Sequence, residues 1–314
     1  MAFSRILFVV NPTAGAGSSG DKWRRFKAEF QNTGITFDEC TSSAPGAAIR
    51  LAADNADKYE AVVAVGGDGL AFEVATGLLR SANRACALGM VPTGTGNDIA
   101  TTLGIREPAA AAQALKNGHC LPMDVLQLDC VANGNTARFY ALLFAGVGLA
   151  AECLKKTTPT VKRICGEKLA YPVGLIRALW SHDAPRLRVQ CDGQTEEGRF
   201  LFIGASNTES AGGGMKLAPG ARVADGLLNM TFVKALGRWR ALLQVRRLCR
   251  GQHIHHPHVR YFTGTRIEIN SDRPVEVAAD GELVGHTPAR FQVLPQALKV
   301  VTLGTPPGWF PDAD

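Results

Sequence analysis

Several familiar signatures are missing from this sequence, and each absence argues against a class of protein. The eight cysteines form no C-x-x-C pair, so neither a zinc site nor a disulfide framework is predicted, and thiols in a reducing cytosol fit better. The sequence contains no G-x-x-x-x-G-K-[ST] segment and no H-R-D or D-F-G set, which excludes the P-loop and protein-kinase mechanisms. It also lacks a run of about 18 apolar residues, the length that a membrane-spanning helix needs.

The apolar run near the N-terminus, Ile6 to Val10, is too short for the core of a signal peptide, so a cytoplasmic protein is expected. With 314 residues, 46% of them apolar and 20% charged, the chain is long enough for two globular domains. The formal net charge of +6 and the pI of about 9.0 favour an anionic partner. Nucleotide phosphates, anionic lipid headgroups and nucleic acid all satisfy that condition.

Short apolar runs alternate with helical patterns through the first 118 residues, which predicts βαβ units and a parallel sheet. The predicted strands and helices cover residues 6–10, 21–30, 35–37, 47–58, 61–65 and 70–80. Three glycine-containing segments follow predicted strands, at 11–15, 66–69 and 92–98. An open α/β sheet binds ligands outside the carboxyl ends of its strands, so the three segments together predict one nucleotide site.

Beyond residue 118 the pattern changes to strands joined by turns, which predicts a second, mainly antiparallel β domain. One predicted strand covers 138–144, and helices are expected at 149–156, 167–181 and 238–249. The predicted fold class is therefore α/β plus mainly-β. We place the nucleotide-binding domain at residues 1–120 and the β-rich domain, which would bind the second substrate, at residues 121–314.

The segment Gly66-Gly67-Asp68-Gly69 follows a buried strand, Ala61 to Val65. Glycines lack the Cβ atoms that would keep the backbone away from a phosphate, and the helix that begins near Leu70 turns the positive end of its dipole towards an anion. Asp68 can hold a magnesium ion or its water shell against a polyphosphate. The alternatives are a plain tight turn and a helix cap supplied by Asp68.

Six motifs, in the right order, resemble the catalytic domains of the diacylglycerol kinase family, and in particular its soluble bacterial lipid kinases. They are Asn11-Pro12-Thr13-Ala14-Gly15, Gly66-Gly67-Asp68-Gly69, Pro92-x-Gly94-Thr95-x-Asn97-Asp98, Gly212-Gly213-Gly214, Pro219 with Asp225-Gly226, and Asp280-Gly281-Glu282. The resemblance runs from Ile6 to about Thr302. It implies an α/β lobe like those of NAD kinases and diacylglycerol kinases, an antiparallel β-sandwich-like lobe, and an active site that binds ATP in the cleft between them.

The resemblance also implies which residues contact the nucleotide, with Asn97 and Asp98 shaping the same pocket. The residues are Asn11, Pro12, Thr13, Ala14, Gly15, Thr41, Gly66, Gly67, Asp68, Gly69, Leu70, Ala71, Phe72, Thr95 and Asn97. Taken alone, the Asn97-Asp98 pair is also typical of an N-cap for a helix at 99–103. Thr41 is also typical of a turn.

Phosphoryl transfer to a hydroxyl requires a base beside the acceptor. The resemblance implies that Glu282 is this proton acceptor, with Asp68 at the metal and Asp124 as a further acidic residue of the active site. Taken alone, Asp280-Gly281 indicates a β-hairpin turn with Glu282 at its rim. Asp124 fits equally well as a residue that caps or braces the domain junction.

The resemblance further implies a structural magnesium site in the segment 219–227. There the Asp225 carboxylate and the backbone carbonyls of Arg222 and Leu227 would hold Mg²⁺, which prefers oxygen ligands. An ordinary turn at Asp225-Gly226 is the alternative reading.

This chain departs from the family pattern directly after Gly69. The family usually has Thr and Asn at the positions of Leu70 and Phe72, and only Glu73 of that set is retained. The missing side-chain contacts are expected to weaken nucleotide binding or to transfer it to backbone amides.

Two further features lie outside these motifs. The histidines of residues 253–258 belong to a predicted exposed loop without a matching carboxylate or cysteine, so no metal site is predicted there. Residues 238–250 form a basic amphipathic helix that contains Trp239 and is suited to dock on an anionic bilayer. The alternative is a helix that packs Leu242, Val245 and Cys249 on the core and leaves its arginines in solvent.

These patterns predict an ATP-dependent lipid kinase that uses Mg²⁺, contacts the inner membrane face peripherally and has no nucleic-acid partner. Its acceptor would be the hydroxyl of a diacylglycerol-like lipid, phosphatidylglycerol or a sphingoid lipid. The alternatives are an enzyme like NAD kinase or 6-phosphofructokinase, and a non-catalytic protein that binds a lipid or a nucleotide. Exposed strand edges in the β lobe would permit a homodimer.

Overall fold

A computed structural model describes residues 3–14, 19–94, 97–181 and 183–311. The chain divides into two compact units, of which the first comprises Met1–Met123 and Gln296–Trp309 and the second Asp124–Pro295 and Phe310–Asp314. The first unit therefore includes Gln296–Trp309, a segment that we predicted in the second domain. The physical reason is that Val300 pairs with Leu88 in the parallel sheet and the Trp309 side chain is buried in this unit.

A parallel sheet forms the centre of the first unit, as predicted. Its strands are β1 (Arg5–Val10), β2 (Thr36–Thr41), β3 (Ala61–Gly66), β4 (Ala87–Pro92) and the end of the long strand β14 (Glu282–Val301). β1 lies between β2 and β3, and β4 lies between β3 and β14. Every residue of β3 and β4 is buried, as expected for central strands of a sheet that is covered on both faces.

Helices α1 (Ser19–Phe30), α2 (Ala47–Asn55), α3 (Asp68–Arg80), α4 (Asp98–Thr102) and α5 (Pro108–Asn117) complete the first unit. An aromatic cluster fixes α1 against the sheet. The ring of Phe8 on β1 lies 5.0 Å from Trp23, 5.8 Å from Phe26 and 5.3 Å from Phe30, measured between ring centroids. This packing sets the position at which α1 begins beside the end of β1.

Helices α2 and α3 pack closely because Gly77 has no side chain. A Cβ atom at Gly77 would lie 2.3 Å from the carbonyl oxygen of Ile49 on α2. Glu73 joins the same two helices, since its carboxylate accepts hydrogen bonds from the backbone N–H groups of Gly46 at 2.9 Å and Ala48 at 3.2 Å. Glu73 therefore satisfies backbone amides at the N-terminus of α2.

The second unit is built mainly from antiparallel strands, as predicted. They are β5 (Cys120–Ala132), β6 (Asn135–Ala141), β7 (Phe144–Gly148), β8 (Arg186–Cys191), β9 (Gln194–Ser206), β10 (Leu228–Lys234), β11 (Val259–Gly264), β12 (Arg266–Ser271), β13 (Glu276–Ala279) and β14. One layer follows the order β11-β10-β9-β7-β13-β14, and a second follows β9-β8-β12-β14. Strands β9 and β14 belong to both layers.

One apolar core lies between these two layers. Val147, Ile203 and Val277 contribute to it from the first layer, and Val189 and Phe291 from the second. All five side chains are fully buried. The arrangement is the predicted β-sandwich-like lobe.

Helices of the second unit are α6 (Leu149–Lys156), α7 (Pro159–Cys165), α8 (Glu167–Ser181) and α9 (Arg238–Cys249). The predictions for α6, α8 and α9 are confirmed, whereas α7 was not predicted. Leu179 on α8 and Val245 on α9 share an apolar cluster with Leu201 of β9, and Leu242 packs against it. The predicted packing of α9 on the core is therefore correct for Val245 and Leu242, whereas Cys249 is half-buried outside this cluster.

Within the described residues, no helix combines the length and the apolar character that crossing a bilayer requires. All eight cysteines are free. Burial raises the pKa of Cys86, Cys130, Cys153 and Cys191 to about 11, so these groups are neutral thiols at pH 7. Neutral, buried thiols are poor nucleophiles and poor metal ligands, which leaves them a packing role.

The histidine-containing segment differs from the predicted exposed loop at one position. His253 is only 4% exposed, and burial lowers its pKa below the usual value for histidine. His255 is exposed. No cluster of three or more His, Cys, Asp or Glu side chains suited to a metal ion occurs in the described residues.

We expect the free energy of unfolding to fall as the pH is lowered through about 6.5, the ordinary pKa of histidine. Below that value the unfolded chain takes up a proton that folded His253 resists, because the folded pKa is depressed, so acid favours unfolding. Urea unfolding at pH 5 to 8 measures the dependence. His253→Gln should flatten it, and His255→Gln should not. Equal slopes for His253→Gln and the unmodified protein would contradict the assignment.

Candidate active site

Three loops at the carboxyl edge of the parallel sheet are joined by backbone hydrogen bonds. The first follows β1, where the N–H of Asn11 donates to the carbonyl oxygen of Val65 at 3.1 Å. The Asn11 side chain then accepts from Thr13 twice, at 3.1 Å from its N–H and 2.8 Å from its hydroxyl. Asn11 and Thr13 thus form a compact turn attached to the end of β3.

The second and third loops meet at two glycines. Thr93 and Gly94, which follow β4, both donate their N–H groups to the carbonyl oxygen of Gly66, at 3.0 and 3.1 Å. A Cβ atom at Gly94 would lie 2.5 Å from Cα of Gly67 and 3.0 Å from its nitrogen. The two backbones therefore touch, and this approach requires glycine at position 94.

Asp68 links the second loop to α4. Its carboxylate accepts hydrogen bonds from the backbone N–H groups of Asp98 at 3.1 Å and Ile99 at 2.9 Å. Asp68 therefore caps α4. The sequence had suggested that Asp68 would cap α3, the helix that begins at this residue. This contact ties the second glycine loop to the start of α4.

The alternative reading of Asn97 as an N-cap is correct for its position in α4, but its side chain does not supply the cap. Asn97 occupies the N-cap position of α4 with φ of 54°, in the left-handed region, and its side chain makes no capping hydrogen bond. Its Nδ2 donates instead to the carbonyl oxygen of Gly94 at 2.8 Å. Its Oδ1 is buried and has no hydrogen-bond partner among the residues that the structure describes, so an acceptor is available at this edge of the sheet.

The remaining predicted nucleotide residues differ in burial and position. Leu70 is buried and packs over Gly66, so its side chain contributes to the protein interior. Phe72 is half-buried, and Thr41 is exposed at the end of β2. Gly15 and Thr95 lie outside the described residues. Pro12 and Ala14 lie in the first loop, and Gly69 and Ala71 lie in the first turn of α3.

Sequence reasoning missed Lys22, which lies beside these loops. Its Nζ donates to the carbonyl oxygen of Thr93 at 3.2 Å, and the hydroxyls of Ser19 and Thr93 are 2.6 Å apart. Both contacts attach the start of α1 to the third loop. In the sequence Lys22 is one of several basic residues on a predicted helix, and only the folded position of α1 distinguishes it.

In the second unit, Glu282 follows a two-residue hairpin turn. Ala279 pairs with Glu282 across the turn, and Asp280 and Gly281 have φ angles of 43° and 91°. These angles are those of the I′ turn that joins twisted antiparallel strands. The hairpin reading of this motif is confirmed, and it leaves the Glu282 side chain exposed.

Asp280, the first residue of this turn, was not predicted as a site residue. Its carboxylate accepts from the backbone N–H groups of Leu142, Leu143 and Phe144, at 2.6, 3.0 and 2.9 Å. The predicted strand at 138–144 is interrupted at these amides, because they face Asp280 rather than a neighbouring strand. The turn that carries Glu282 is thereby fixed to the segment between β6 and β7.

Asp124 is fully buried and braces the predicted metal loop within the second unit. Its carboxylate accepts from the N–H of Gly226 at 2.6 Å, and its own N–H donates to Val223 at 2.9 Å. The Asp225 carboxylate accepts from the N–H of Leu227 at 2.9 Å, which is a turn contact. The carboxylates of Asp124 and Asp225 are oxygen donors, which suit Mg²⁺. Because the described residues contain no cluster of three or more metal-binding side chains, an ion beside these two would need backbone carbonyls or water to complete its ligands.

The comparisons with known proteins cover both units. The model of the diacylglycerol kinase catalytic domain matches residues 5–128, and that of the YegS C-terminal NAD kinase beta sandwich-like domain matches residues 145–302. The chain is 28% identical to a diacylglycerol kinase of Bacillus subtilis, over 95% of this chain and 96% of that protein. It is also 28% identical to a diacylglycerol kinase of Staphylococcus carnosus, over 95% of each chain.

Solved structures give the same result. A Bacillus anthracis protein, assigned as a diacylglycerol kinase, superposes with a TM-score of 0.82 at 25% identity over 96% of each chain. This structural match and the two family models define the class of protein, which is a lipid kinase. A kinase of this family implies ATP and a divalent metal. The chain belongs to the diacylglycerol kinase family, in the branch that carries the YegS-type C-terminal domain.

Proposed function

We propose that this protein transfers the γ-phosphate of ATP to a hydroxyl group of a membrane lipid, with Glu282 as the general base. The observation that carries the proposal is the junction of three loops at one sheet edge, where Gly94 touches Gly67 and Asp68 caps α4. At this junction α3 begins directly after Gly67, so its N-terminus would turn the positive end of the helix dipole towards an anion.

The first unit would bind the donor nucleotide. The turn at Asn11 and Thr13, the loop at Gly66 and the loop at Gly94 would line the site of the polyphosphate. Lys22 would add a positive charge beside them, held in place by its hydrogen bond to Thr93. Because Leu70 faces the protein interior, any contact of this loop with a nucleotide would come from backbone amides rather than from that side chain.

The second unit would supply the base. In the reaction the acceptor oxygen attacks the γ-phosphorus, the bond from that phosphorus to the β–γ bridging oxygen breaks, and ADP leaves. The proton of the acceptor hydroxyl passes to the Glu282 carboxylate. Asp280, anchored by three amides, holds the turn and so limits the positions that Glu282 can reach.

Residues for magnesium are available in both units. We propose Asp68 for the ion that accompanies ATP, with Asp124 as a further acidic residue, and Asp225 with the carbonyls of Arg222 and Leu227 for a structural ion. A bound magnesium ion would neutralise charge on the phosphate oxygens. These residues provide hard oxygen donors, the type that Mg²⁺ selects.

The proposal is tested by offering γ-labelled ATP to the purified protein with mixed lipid micelles or with NAD. Label in the organic phase is expected, and label on NAD would instead support the NAD kinase-like alternative. Binding of ATP without transfer to any lipid of a total membrane extract would support a non-catalytic protein. Mass spectrometry of the labelled lipid identifies the acceptor among diacylglycerol, phosphatidylglycerol and sphingoid lipids.

A further inference from the structure

Three helices of the second unit expose large apolar side chains that a globular protein normally buries. They are Ile164 on α7, Leu169, Ile176 and Trp180 on α8, and Trp239 and Leu243 on α9. We call this set the tryptophan face. Trp239 and Leu243 are each 73% exposed and Leu169 is 60% exposed, so these side chains are not simply partly covered core residues.

On α8 and on α9, the exposed apolar residues lie on a different side of the helix from the buried ones. On α8, Leu169, Ile176 and Trp180 follow one another at intervals of seven and four residues, which places them along one side. Leu175 and Leu179 point the other way, into the apolar cluster that packs on β9. The core contact of α8 is therefore complete without the exposed residues.

Helix α9 repeats this arrangement. Ala241 and Val245 are buried in the same cluster, while Trp239 and Leu243, one turn apart, are exposed. The rings of Trp180 and Trp239 meet edge to face with centroids 5.3 Å apart. This contact joins the outward sides of α8 and α9 into one continuous surface.

The tryptophan face includes a helix, α9, that is rich in positive charge. The segment 238–250 contains five arginines and no acidic residue: Arg238, Arg240, Arg246, Arg247 and Arg250. None of the ion pairs found in the described part of the chain involves one of these arginines. The pKa of His256 is lowered mainly by burial, and further by the positive charges of His258, Arg247 and Arg240. The contribution of the two arginines indicates a positive electrostatic potential beside α9.

We propose that the tryptophan face docks this protein on an anionic lipid bilayer. Indole rings prefer the boundary between headgroups and acyl chains, and arginines beside them gain energy from anionic headgroups. The helices would lie in the plane of the membrane, with exposed leucine and isoleucine side chains in its outer apolar layer. The inference rests on the proposed function in one respect, since the lipid acceptor of that reaction resides in such a bilayer.

A second copy of this chain is the less favourable occupant. A two-fold symmetric contact through the tryptophan face would bring two sets of α9 arginines together, and neither set carries an acidic partner on that helix. Like charges at a protein interface oppose association. An anionic bilayer complements both the apolar and the charged parts of the surface.

Sedimentation of the full chain with vesicles tests the docking. We expect binding to vesicles that contain phosphatidylglycerol and little binding to pure phosphatidylcholine vesicles. Intrinsic fluorescence gives a second measurement, because Trp23 and Trp309 are buried whereas Trp180 and Trp239 are exposed. A blue shift of the emission on addition of phosphatidylglycerol vesicles, and its quenching by brominated acyl chains, would therefore come from the tryptophan face.

Two double variants separate the apolar and the charged contributions. Trp239→Ser with Leu243→Ser should abolish the blue shift. Arg246→Glu with Arg247→Glu should weaken vesicle binding by about tenfold or more, since each basic residue near an anionic surface contributes substantially. The matched control is Arg84→Glu with Arg106→Glu, an equal change of charge at exposed positions of the first unit, which should retain binding.

Equal binding to both kinds of vesicle, or unchanged binding by both double variants, would overturn the proposal. A concentration-dependent dimer that Trp239→Ser with Leu243→Ser dissociates, without any vesicle binding, would assign the face to a second copy instead. The binding assay contains no ATP, so it is independent of catalysis. If the docking proposal is correct, the docking variants retain activity on a short-chain soluble acceptor. If instead the proposed function is wrong, the unmodified protein is inactive on every acceptor.

Discussion

Glu282→Gln is expected to lower the rate of lipid phosphorylation by about 10²- to 10⁴-fold, the range typical for loss of a positioned general base. Glutamine has the same shape as glutamate but cannot take up the proton of the acceptor hydroxyl. Because Glu282 is exposed on a hairpin fixed by Asp280, the substitution should leave the fold and the affinity for ATP unchanged. The effect should appear in kcat, measured with γ-labelled ATP and lipid micelles, while calorimetry shows intact ATP binding.

Glu276→Gln is the matched control for this experiment. Glu276 lies on β13, in the same hairpin, and forms an ion pair with Lys155. A partly exposed ion pair contributes about 0–1 kcal/mol to stability, so this variant should remain nearly as active as the unmodified protein. Similar activity of Glu282→Gln and the unmodified protein would remove Glu282 from the mechanism and leave the family assignment intact.

Gly94→Ala is expected to reduce kcat/KM for ATP by about a hundredfold, the cost of displacing reacting groups by roughly 1 Å. The added Cβ would lie 2.5 Å from Cα of Gly67, so one of the two glycine loops must move. The hydrogen bonds of Thr93 and Gly94 to Gly66 would be strained by that movement. Titration with a non-hydrolysable ATP analogue should show weaker binding, and circular dichroism should show that the protein still folds.

Gly20→Ala provides the comparison, at the start of α1 near the same edge of the sheet. Among the residues that the structure describes, a Cβ there would meet only the carbonyl oxygen of Pro12, at the ordinary contact distance of 3.9 Å. It should bind the analogue as the unmodified protein does. If Gly94→Ala also bound normally, the close approach of the loops would be a feature of folding alone, and the nucleotide would have to bind elsewhere.

The elements that the sequence predicted well are those with a strong local pattern. The buried strand Ala61–Gly66 is apolar throughout and ends in glycines, and α6, α8 and α9 begin and end as expected from their apolar periodicity. The hairpin at Asp280-Gly281 also follows from local turn chemistry. In each case the residues that decide the structure are close neighbours in the chain.

What could not be predicted depends on contacts between distant residues. Asp68 accepts from amides about 30 positions away, and Asp280 from amides nearly 140 positions away. Neither pairing leaves a pattern in a single sequence, because a backbone amide exists at almost every position. Lys22 was missed for the same reason, and Leu70 was judged a lost ligand contact although its side chain packs inside the unit.

The return of Gln296–Trp309 to the first unit has a consequence for the order of events during synthesis. Strand β4 has its neighbour Val300, and the Trp309 indole its hydrogen bond to Pro122, only after all of Asp124–Pro295 has left the ribosome. At roughly 5–20 residues per second, that interval lasts on the order of ten seconds or more. The edge of β4 in the first unit therefore stays uncovered during that interval, until a segment translated after Asp124–Pro295 pairs with it.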